Sequence, residues 1–249
     1  MLKHFKYLLF FIAYGVRWKR KTIKNNFIHC GIPFKESLYA KLLFNMARDI
    51  NQLLFNLKTP IVIKDQQTND ILNNWPNKTL LLSCHLGNHE LFCQYLVNRD
   101  IPIKSTVLPI KNKYIYSHIK KIRKPFDFAI ERPSPRTILK LINIYKTFAF
   151  MWDQEPRHKT PHINLAFFNR PCYWNKLPLW IINKNPDIKI LIPTLIYKNG
   201  EYIAKLTLME DNFPNNWIKQ FETDIKSNLT FYYGWSHKRF KKIEPSLYN

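Results

Sequence analysis

The sequence predicts a single-domain α/β protein in which helices flank a central, mostly parallel β-sheet. Short apolar segments rich in β-branched and aromatic residues alternate with segments whose apolar residues recur every three or four positions, as is typical of βαβ units. No Pro/Gly/Ser-rich linker and no internal repeat divides the 249 residues. With 46% hydrophobic residues, the chain has enough apolar side chains to bury one sizeable core.

The predicted elements follow one another in a regular order. Apolar residues at three- and four-residue steps predict an amphipathic helix over 36–57, and a short β-rich stretch follows at 60–64. The run 79–84 is apolar, has the length of a strand and is bounded by turn residues, which predicts a buried strand. The same criteria assign helices at 88–98, 113–124 and 134–146, strands at 102–108, 126–130 and 147–152, and a hairpin of 188–197 and 202–209. Asn199–Gly200 at the hairpin tip predicts a type I′ turn.

The N-terminus carries an apolar run, 7–16, with cations on both sides. This run is too short to cross a bilayer as a helix, which needs about 20 residues, and no small-x-small cleavage site follows it. Flanking cations and aromatic edges favour a monotopic helix in a cytoplasmic leaflet; a plain buried helix is the alternative. We therefore divide the chain into an N-terminal membrane-associating helix, 1–24, and a folded domain, 25–249.

The chain is strongly basic, with 39 Lys and Arg against 17 Asp and Glu and a formal net charge of +22. Such a charge predicts a polyanionic partner: nucleic acid, an anionic membrane surface or an acidic protein. The basic residues are spread along the chain and form no recognised nucleic-acid module, so we expect no nucleic-acid partner. Genomic composition bias is the alternative explanation of the lysine excess. Four scattered cysteines without a CxxC spacing favour reduced, buried thiols over a disulfide framework.

His85 and Glu90 are the leading candidates for catalysis. His85 emerges from the predicted buried strand, and Glu90 lies five residues later, within reach across the first turn of the next helix. An acid can hold one imidazole nitrogen while the other nitrogen removes a proton from a hydroxyl. Gly87 and Asn88 suit the tight turn between them, and backbone amides at a helix start favour developing negative charge.

Two other interpretations of this segment stay open. His85, His89, Cys84 and Cys93 are donors of the kind that bind zinc, and histidines four residues apart on a helix can share one ion. Cys84 and His85 are adjacent, however, and would point to different faces of a strand. For the same reason, a buried structural role is favoured for Cys84 over that of a thiol nucleophile. We therefore predict no metal.

Six short blocks follow one another between residues 83 and 240. They read Ser-Cys-His-Leu-Gly-Asn-His-Glu-Leu (83–91), Leu-Pro-Ile-Lys-Asn (108–112) with the basic segment 119–123 behind it, Met-Trp-Asp-Gln (151–154), Ala-Phe-Phe-Asn-Arg-Pro (166–171), Ile-Pro (192–193) and Trp-Ser-His-Lys-Arg-Phe (235–240). Their residues and order resemble those of the lipid A late acyltransferases, the lauroyl and myristoyl transferases of Gram-negative bacteria. The resemblance covers most of the chain.

The resemblance implies a lysophospholipid-acyltransferase-like fold, with 25–249 as the acyltransferase domain. It also implies a location at the cytoplasmic face of a bacterial inner membrane, peripheral or monotopic. Three positions depart from the family pattern: His89 replaces Trp, Leu108 replaces Arg and Asn169 replaces Gly. These departures concern the acceptor and the membrane geometry more than the reaction, because the His85 and Glu90 positions are kept.

The activity that the resemblance implies is transfer of a fatty acyl chain from an acyl-thioester to a hydroxyl of a membrane glycolipid such as a lipid A precursor. The donor is acyl carrier protein or acyl-CoA, and the protein acts as a monomer. His85 is then the general base and Glu90 the acid that orients it. The amides near Gly87 and Asn88 are candidates to stabilise the oxyanion, as is Arg123, whose planar guanidinium could instead bind a lipid phosphate. No cofactor is needed, because alcoholysis of a thioester requires only a base and charge stabilisation.

Other predicted site residues lie further along the chain. Asp153 follows an apolar strand, where α/β enzymes gather active-site acids; a helix cap or an ion pair with Arg157 is the alternative. Asn112 is predicted to bind substrate as part of the second block. Arg132 and Arg136 are predicted to contact a phosphate or phosphopantetheine group, with a solvated surface charge as the alternative for each.

The C-terminal block is expected to have a structural role. His237 and Arg239 would dock the C-terminus onto the core. Two further functions stay open: acyl transfer to another lipid acceptor, such as a phospholipid, an aminolipid or a surface-polysaccharide lipid, and non-enzymatic binding of anionic lipid or nucleic acid.

Overall fold

The computed structural model describes residues 4–55, 57, 59–107, 112–157, 159–209 and 213–248. The strands of this part are β1 (Ile61–Ile63), β2 (Thr79–Ser83), β3 (Ile103–Val107), β4 (Ala129–Glu131), β5 (Thr147–Met151), β6 (His162–Phe167), β7 (Arg170–Asn175), β8 (Lys189–Lys198) and β9 (Glu201–Met209). Its α-helices are α1 (Phe5–Gly15), α2 (Arg20–His29), α3 (Glu36–Phe55), α4 (Gln66–Asn73), α5 (His89–Val97), α6 (Lys113–Arg123), α7 (Pro135–Tyr145), α8 (Leu177–Lys184) and α9 (Asn215–Ser227).

A seven-stranded sheet forms the centre of the domain, in the order β1-β9-β8-β2-β5-β3-β4. Neighbouring strands are parallel except β8 and β9, which form an antiparallel hairpin. At the tip of this hairpin, Asn199 and Gly200 have φ angles of 51° and 91°, as the predicted type I′ turn requires. The prediction of an α/β fold with a mostly parallel sheet and flanking helices is confirmed.

Apolar cores cover both faces of the sheet, and β2 contributes to each. Leu80 and Leu82 belong to one core and Leu81 to the other, because successive side chains of a strand point to opposite faces. The first core also contains side chains from α2, α3, α7 and α9, and the second contains side chains from α4 and α5. With all five residues of β2 buried, the end of this strand is fixed from both sides.

Helix α1 lies on the surface of the domain. None of its residues is buried, and the side chains of Leu8, Phe11 and Ile12 are 53%, 66% and 56% exposed. Its other side contacts α3, where the rings of Phe10 and Phe44 meet edge to face. In the part of the chain that the structure describes, no helix is long and apolar enough to cross a membrane.

Helix α2 crosses the boundary predicted at residue 24. Ile23 and Phe27 are fully buried, and the side chain of Asn26 donates hydrogen bonds to the carbonyl oxygens of Trp235 and His237, both at 2.7 Å. These contacts bind α2 to the core and to the C-terminal segment. The boundary therefore divides a helix of the domain, and the surface segment ends before α2 begins.

Candidate active site

His85 lies at the carboxyl edge of the sheet, two residues beyond the end of β2. Sites of α/β proteins gather at this edge. The backbone N–H of His85 donates a hydrogen bond to Oδ2 of Asp153 at 3.0 Å, and its carbonyl oxygen accepts one from the N–H of Tyr233 at 2.7 Å. The backbone at His85 is thus fixed on two sides.

The turn after His85 depends on Gly87, whose φ of 73° is in the region that favours glycine. A Cβ atom at this position would lie 2.1 Å from the carbonyl oxygen of Leu195. The N–H of Gly87 donates to Phe231 at 2.9 Å, the N–H of Asn88 donates to Leu195 at 3.0 Å, and the Asn88 side chain caps α5. Both backbone amides that were predicted to bind the oxyanion therefore already donate hydrogen bonds within the fold. Neither Gly87 nor Asn88 is among the described residues that line the neighbouring cavity.

Asp153 is the acid that holds the His85 ring. Its Oδ1 lies 2.8 Å from Nδ1 of His85, and the Gln154 amide nitrogen lies 3.0 Å from Nε2 on the other side of the ring. A carboxylate only accepts hydrogen bonds and an amide nitrogen only donates them, so the proton of the neutral ring is on Nδ1 and the lone pair is on Nε2. His85 therefore has the tautomer that a general base requires.

The environment of Asp153 favours its ionised form. The residue is 2% exposed, and burial by itself raises the pKa of a carboxyl group. This effect is outweighed by attraction to His85 and by hydrogen bonds from the His85 ring and backbone N–H, so the pKa of Asp153 lies below its ordinary value. The carboxylate stays charged and can stabilise a protonated His85.

The predicted contact between His85 and Glu90 is not present. Oε1 and Oε2 of Glu90 instead accept hydrogen bonds from Nε and Nη2 of Arg123, at 2.5 and 2.6 Å. The two side chains are only 9% and 13% exposed. A planar guanidinium fits a carboxylate through two parallel hydrogen bonds, a geometry that an imidazole ring does not offer. Glu90 therefore positions Arg123 rather than His85.

A cavity of about 450 Å³ opens beside this group of residues. This volume falls within the range of small-molecule sites. His85, Glu90 and Arg123 all line it. The apolar part of its wall includes Val107, Phe128, Ile138, Phe150 and Leu177. Because charged groups and apolar surface border one space, the cavity suits an amphipathic ligand.

The predicted substrate-binding residues are divided between the cavity and the surface. Arg132 lines the cavity. Arg136 is exposed in the first turn of α7 and is not among the described residues of the cavity wall. Asn112 is exposed, and its side-chain oxygen accepts hydrogen bonds from two backbone N–H groups at the start of α6, so it caps that helix. The rest of its block, 108–111, lies outside the described residues.

Two more histidines flank the His85 ring. The ring centroids of His89 and His237 lie 5.7 and 5.0 Å from that of His85. Burial, followed by repulsion from His85, lowers the pKa of each to about 4. Burial also raises the pKa of the Cys84 thiol well above its ordinary value, as suits a structural cysteine. The described residues contain no group of His, Cys, Asp and Glu that could hold a metal ion.

Gln154 is a site residue that the sequence prediction missed, although its block was recognised. The available signal was its position directly after Asp153 at the end of a buried strand. No protein-family model matches the sequence, and no curated protein is significantly similar to it. The side of the cavity at His85 brings together an imidazole of fixed tautomer, a carboxylate that holds it and a positioned guanidinium.

Proposed function

We propose that the protein is an acyltransferase that moves a fatty acyl chain from an acyl-thioester to a hydroxyl of a membrane glycolipid, such as a lipid A precursor. The observation that carries the proposal is the contact between His85 and Asp153 at the wall of a partly apolar cavity. His85 removes the proton of the acceptor hydroxyl, and the apolar wall accommodates the acyl chain. Acyl carrier protein or acyl-CoA is the donor.

In the first step, the acceptor hydroxyl replaces the Gln154 amide as the hydrogen-bond donor to Nε2 of His85. His85 removes the hydroxyl proton as the oxygen attacks the thioester carbonyl, and Asp153 stabilises the imidazolium that forms. The tetrahedral intermediate then expels the thiolate, which takes the proton from Nε2. One C–O bond has formed, one C–S bond has broken, and the base is regenerated.

Arg123 contributes positive charge to the same step. Its Nε and Nη2 are held by Glu90, whereas Nη1 has no hydrogen bond to any described residue. A guanidinium that is already fixed costs no reorganisation when negative charge develops on the carbonyl oxygen. Glu90 therefore acts through Arg123 and not through the base.

The surface near α1 supports a membrane location. Phe11 and Ile12 are exposed on α1, and the segment that follows carries the exposed cations Arg17 and Lys19. An apolar helix edged with cations suits the cytoplasmic leaflet, and the net charge of +22 suits anionic lipid and an acidic carrier protein.

The experiment that tests the proposal is an assay of the purified protein with acyl-CoA and acyl carrier protein donors and with extracted membrane lipids, read by mass spectrometry. Transfer to a lipid A precursor adds one acyl chain to that species alone. Transfer to a phospholipid, an aminolipid or a surface-polysaccharide lipid keeps the chemistry and changes the acceptor. If no donor gives transfer and the protein binds duplex nucleic acid with a steep salt dependence, the proposal is wrong.

A further inference from the structure

His89 lines the cavity beside His85 but has no part in the steps described above. It is the first residue of α5, and its ring meets that of His85 at an interplanar angle of 73°. Its Nδ1 is enclosed and has no hydrogen-bond partner in the part of the chain that the structure describes. With Nδ1 enclosed, Nε2 is the ring nitrogen that can reach a ligand in the cavity, and a proton on Nε2 makes it a hydrogen-bond donor there.

The charge state of His89 limits what it can do. Burial, and then repulsion from His85, lowers its pKa to about 4, so the ring is neutral at pH 7. A neutral imidazole carries one N–H group and is a hydrogen-bond donor that adds no charge beside the imidazolium that forms on His85. Neutral histidines serve elsewhere as donors to substrate carbonyl groups. His89 is therefore suited to polarise a carbonyl and unsuited to act as a base at neutral pH.

Besides Nη1 of Arg123, few donors near His85 are free to bind the reacting carbonyl oxygen. The amides of Gly87 and Asn88 donate to backbone carbonyls, and two nitrogens of Arg123 donate to Glu90. A hydroxyl that reacts at His85 places the carbonyl carbon about 3 Å from the attacking oxygen. The ring of His89, whose centroid is 5.7 Å from that of His85, borders the same cavity in which this carbonyl group would react.

We propose that His89 donates a hydrogen bond from Nε2 to the carbonyl oxygen of the acyl-thioester and stabilises the oxyanion that forms there. This inference rests on the proposed acyl transfer. As the acceptor oxygen bonds to the carbonyl carbon and His85 takes its proton, negative charge collects on the carbonyl oxygen and the hydrogen bond from His89 strengthens. When the intermediate expels the thiolate, the oxyanion returns to a carbonyl and His89 is unchanged.

Two substitutions distinguish hydrogen-bond donation by His89 from a role of its ring in packing alone. His89→Phe keeps an aromatic ring without a donor, and His89→Gln keeps a donor without the ring. We expect His89→Phe to lower kcat about 100-fold, in line with the loss of one oxyanion donor, while KM for the donor stays nearly constant. His89→Gln should recover most of the loss. A wild-type kcat in folded His89→Phe would overturn the inference and leave the proposed acyl transfer intact.

A binding measurement covers the case in which His89→Phe does not fold. The wild-type protein, labelled with ¹⁵N in its histidine rings, is titrated with an acyl-pantetheine analogue in which a methylene group replaces the thioester sulfur. We expect the His89 ring N–H resonance to shift as it bonds to the analogue's carbonyl oxygen, and an unchanged resonance would contradict the inference. Absence of transfer by the wild-type protein from every donor would instead overturn both the proposed function and this inference.

Discussion

The ring of His85 and the carboxylate of Asp153 lie 2.8 Å apart because their strands are in register. Ser83 and Met151 are paired at the ends of the parallel strands β2 and β5, and each of the two site residues lies two positions beyond its member of this pair. The backbone N–H of His85 binds the same carboxylate, so ring and main chain are fixed together. The geometry of the base is thus set by the sheet.

Asp153→Asn should remove activity with little change in fold. An amide in place of the carboxylate can turn its N–H groups toward Nδ1, which selects the wrong tautomer of His85 and offers no charge to the imidazolium. We expect kcat to fall about 10⁴-fold, as in other enzymes where an acid holds a catalytic histidine. Steady-state kinetics measure the loss of kcat, and a far-UV circular dichroism spectrum checks that the fold is unchanged. A loss of less than tenfold would show that Asp153 does not hold the base.

Glu90 should stabilise the fold through its ion pair with Arg123. Glu90→Leu leaves a buried guanidinium without its partner, and we expect the free energy of unfolding to fall by about 3–5 kcal/mol. The double variant Glu90→Leu/Arg123→Met removes both charges and should recover part of that loss. Urea unfolding of the single and double variants measures the coupling. If the losses simply add, the two side chains do not interact as described.

Gly87→Ala should be strongly destabilising. The new Cβ atom would lie 2.1 Å from the carbonyl oxygen of Leu195, and φ is 73°. We expect a loss of about 2 kcal/mol or more in the free energy of unfolding. Gly200→Ala is the matched control, because φ is also positive there but nothing lies within 4 Å of its Cβ position. Equal losses in the two variants would mean that the clash at Leu195 is relieved at no cost.

The stability of the protein should fall in mild acid. Burial, and then His85, lowers the pKa of His89 from 6.5 to about 4, so the unfolded chain binds the proton first as the pH falls. Between these values the unfolded state holds more protons, and stability rises with pH by at most about 1.4 kcal/mol per unit from this residue. Urea unfolding from pH 7 to pH 4 measures the slope, which should be smaller in His89→Phe. The same slope in both proteins would contradict a lowered pKa.

The exposed face of α1 should carry membrane binding. Phe11→Ser removes a large apolar side chain that is 66% exposed, and we expect at least about tenfold weaker partition into vesicles that contain anionic phospholipid. Ile144→Ser, at a 67% exposed position on α7, is the control and should bind as the wild type does. Sedimentation with sucrose-loaded vesicles measures both. Equal binding by Phe11→Ser and the wild type would place the membrane contact elsewhere.

The central strands and helices of the fold could be predicted because buried elements have a recognisable pattern of apolar residues in the sequence. A parallel strand covered on both faces is largely apolar, as the segment 79–84 is with its three consecutive leucines. Helix α2 was not predicted, because its sequence Arg-Lys-Thr-Ile-Lys-Asn-Asn-Phe-Ile-His is mostly polar. Tertiary contacts stabilise this helix instead: Ile23 and Phe27 are buried in the core, and Asn26 binds the C-terminal segment.

The residues of the candidate site were easier to predict than their partners. His85 and Asp153 each follow an apolar strand, so each is recognisable separately, but they lie 68 positions apart and their contact depends on the register of β2 and β5. Local spacing instead favoured Glu90, which is close in sequence and turns out to hold Arg123. The use of the amide of Gly87 within the turn likewise depends on a distant partner, Phe231.

The central claim is acyl transfer with His85 as the base, and a paired assay tests it most directly. Purified wild-type protein and His85→Ala are each incubated with an acyl-thioester donor and extracted membrane lipids, and acylated lipid is quantified by mass spectrometry. We predict new acylated lipid with the wild-type protein and none above background with His85→Ala, with equal thermal stability of the two proteins. Equal acyl transfer by both proteins, or none by the wild-type protein with any donor, would contradict the account.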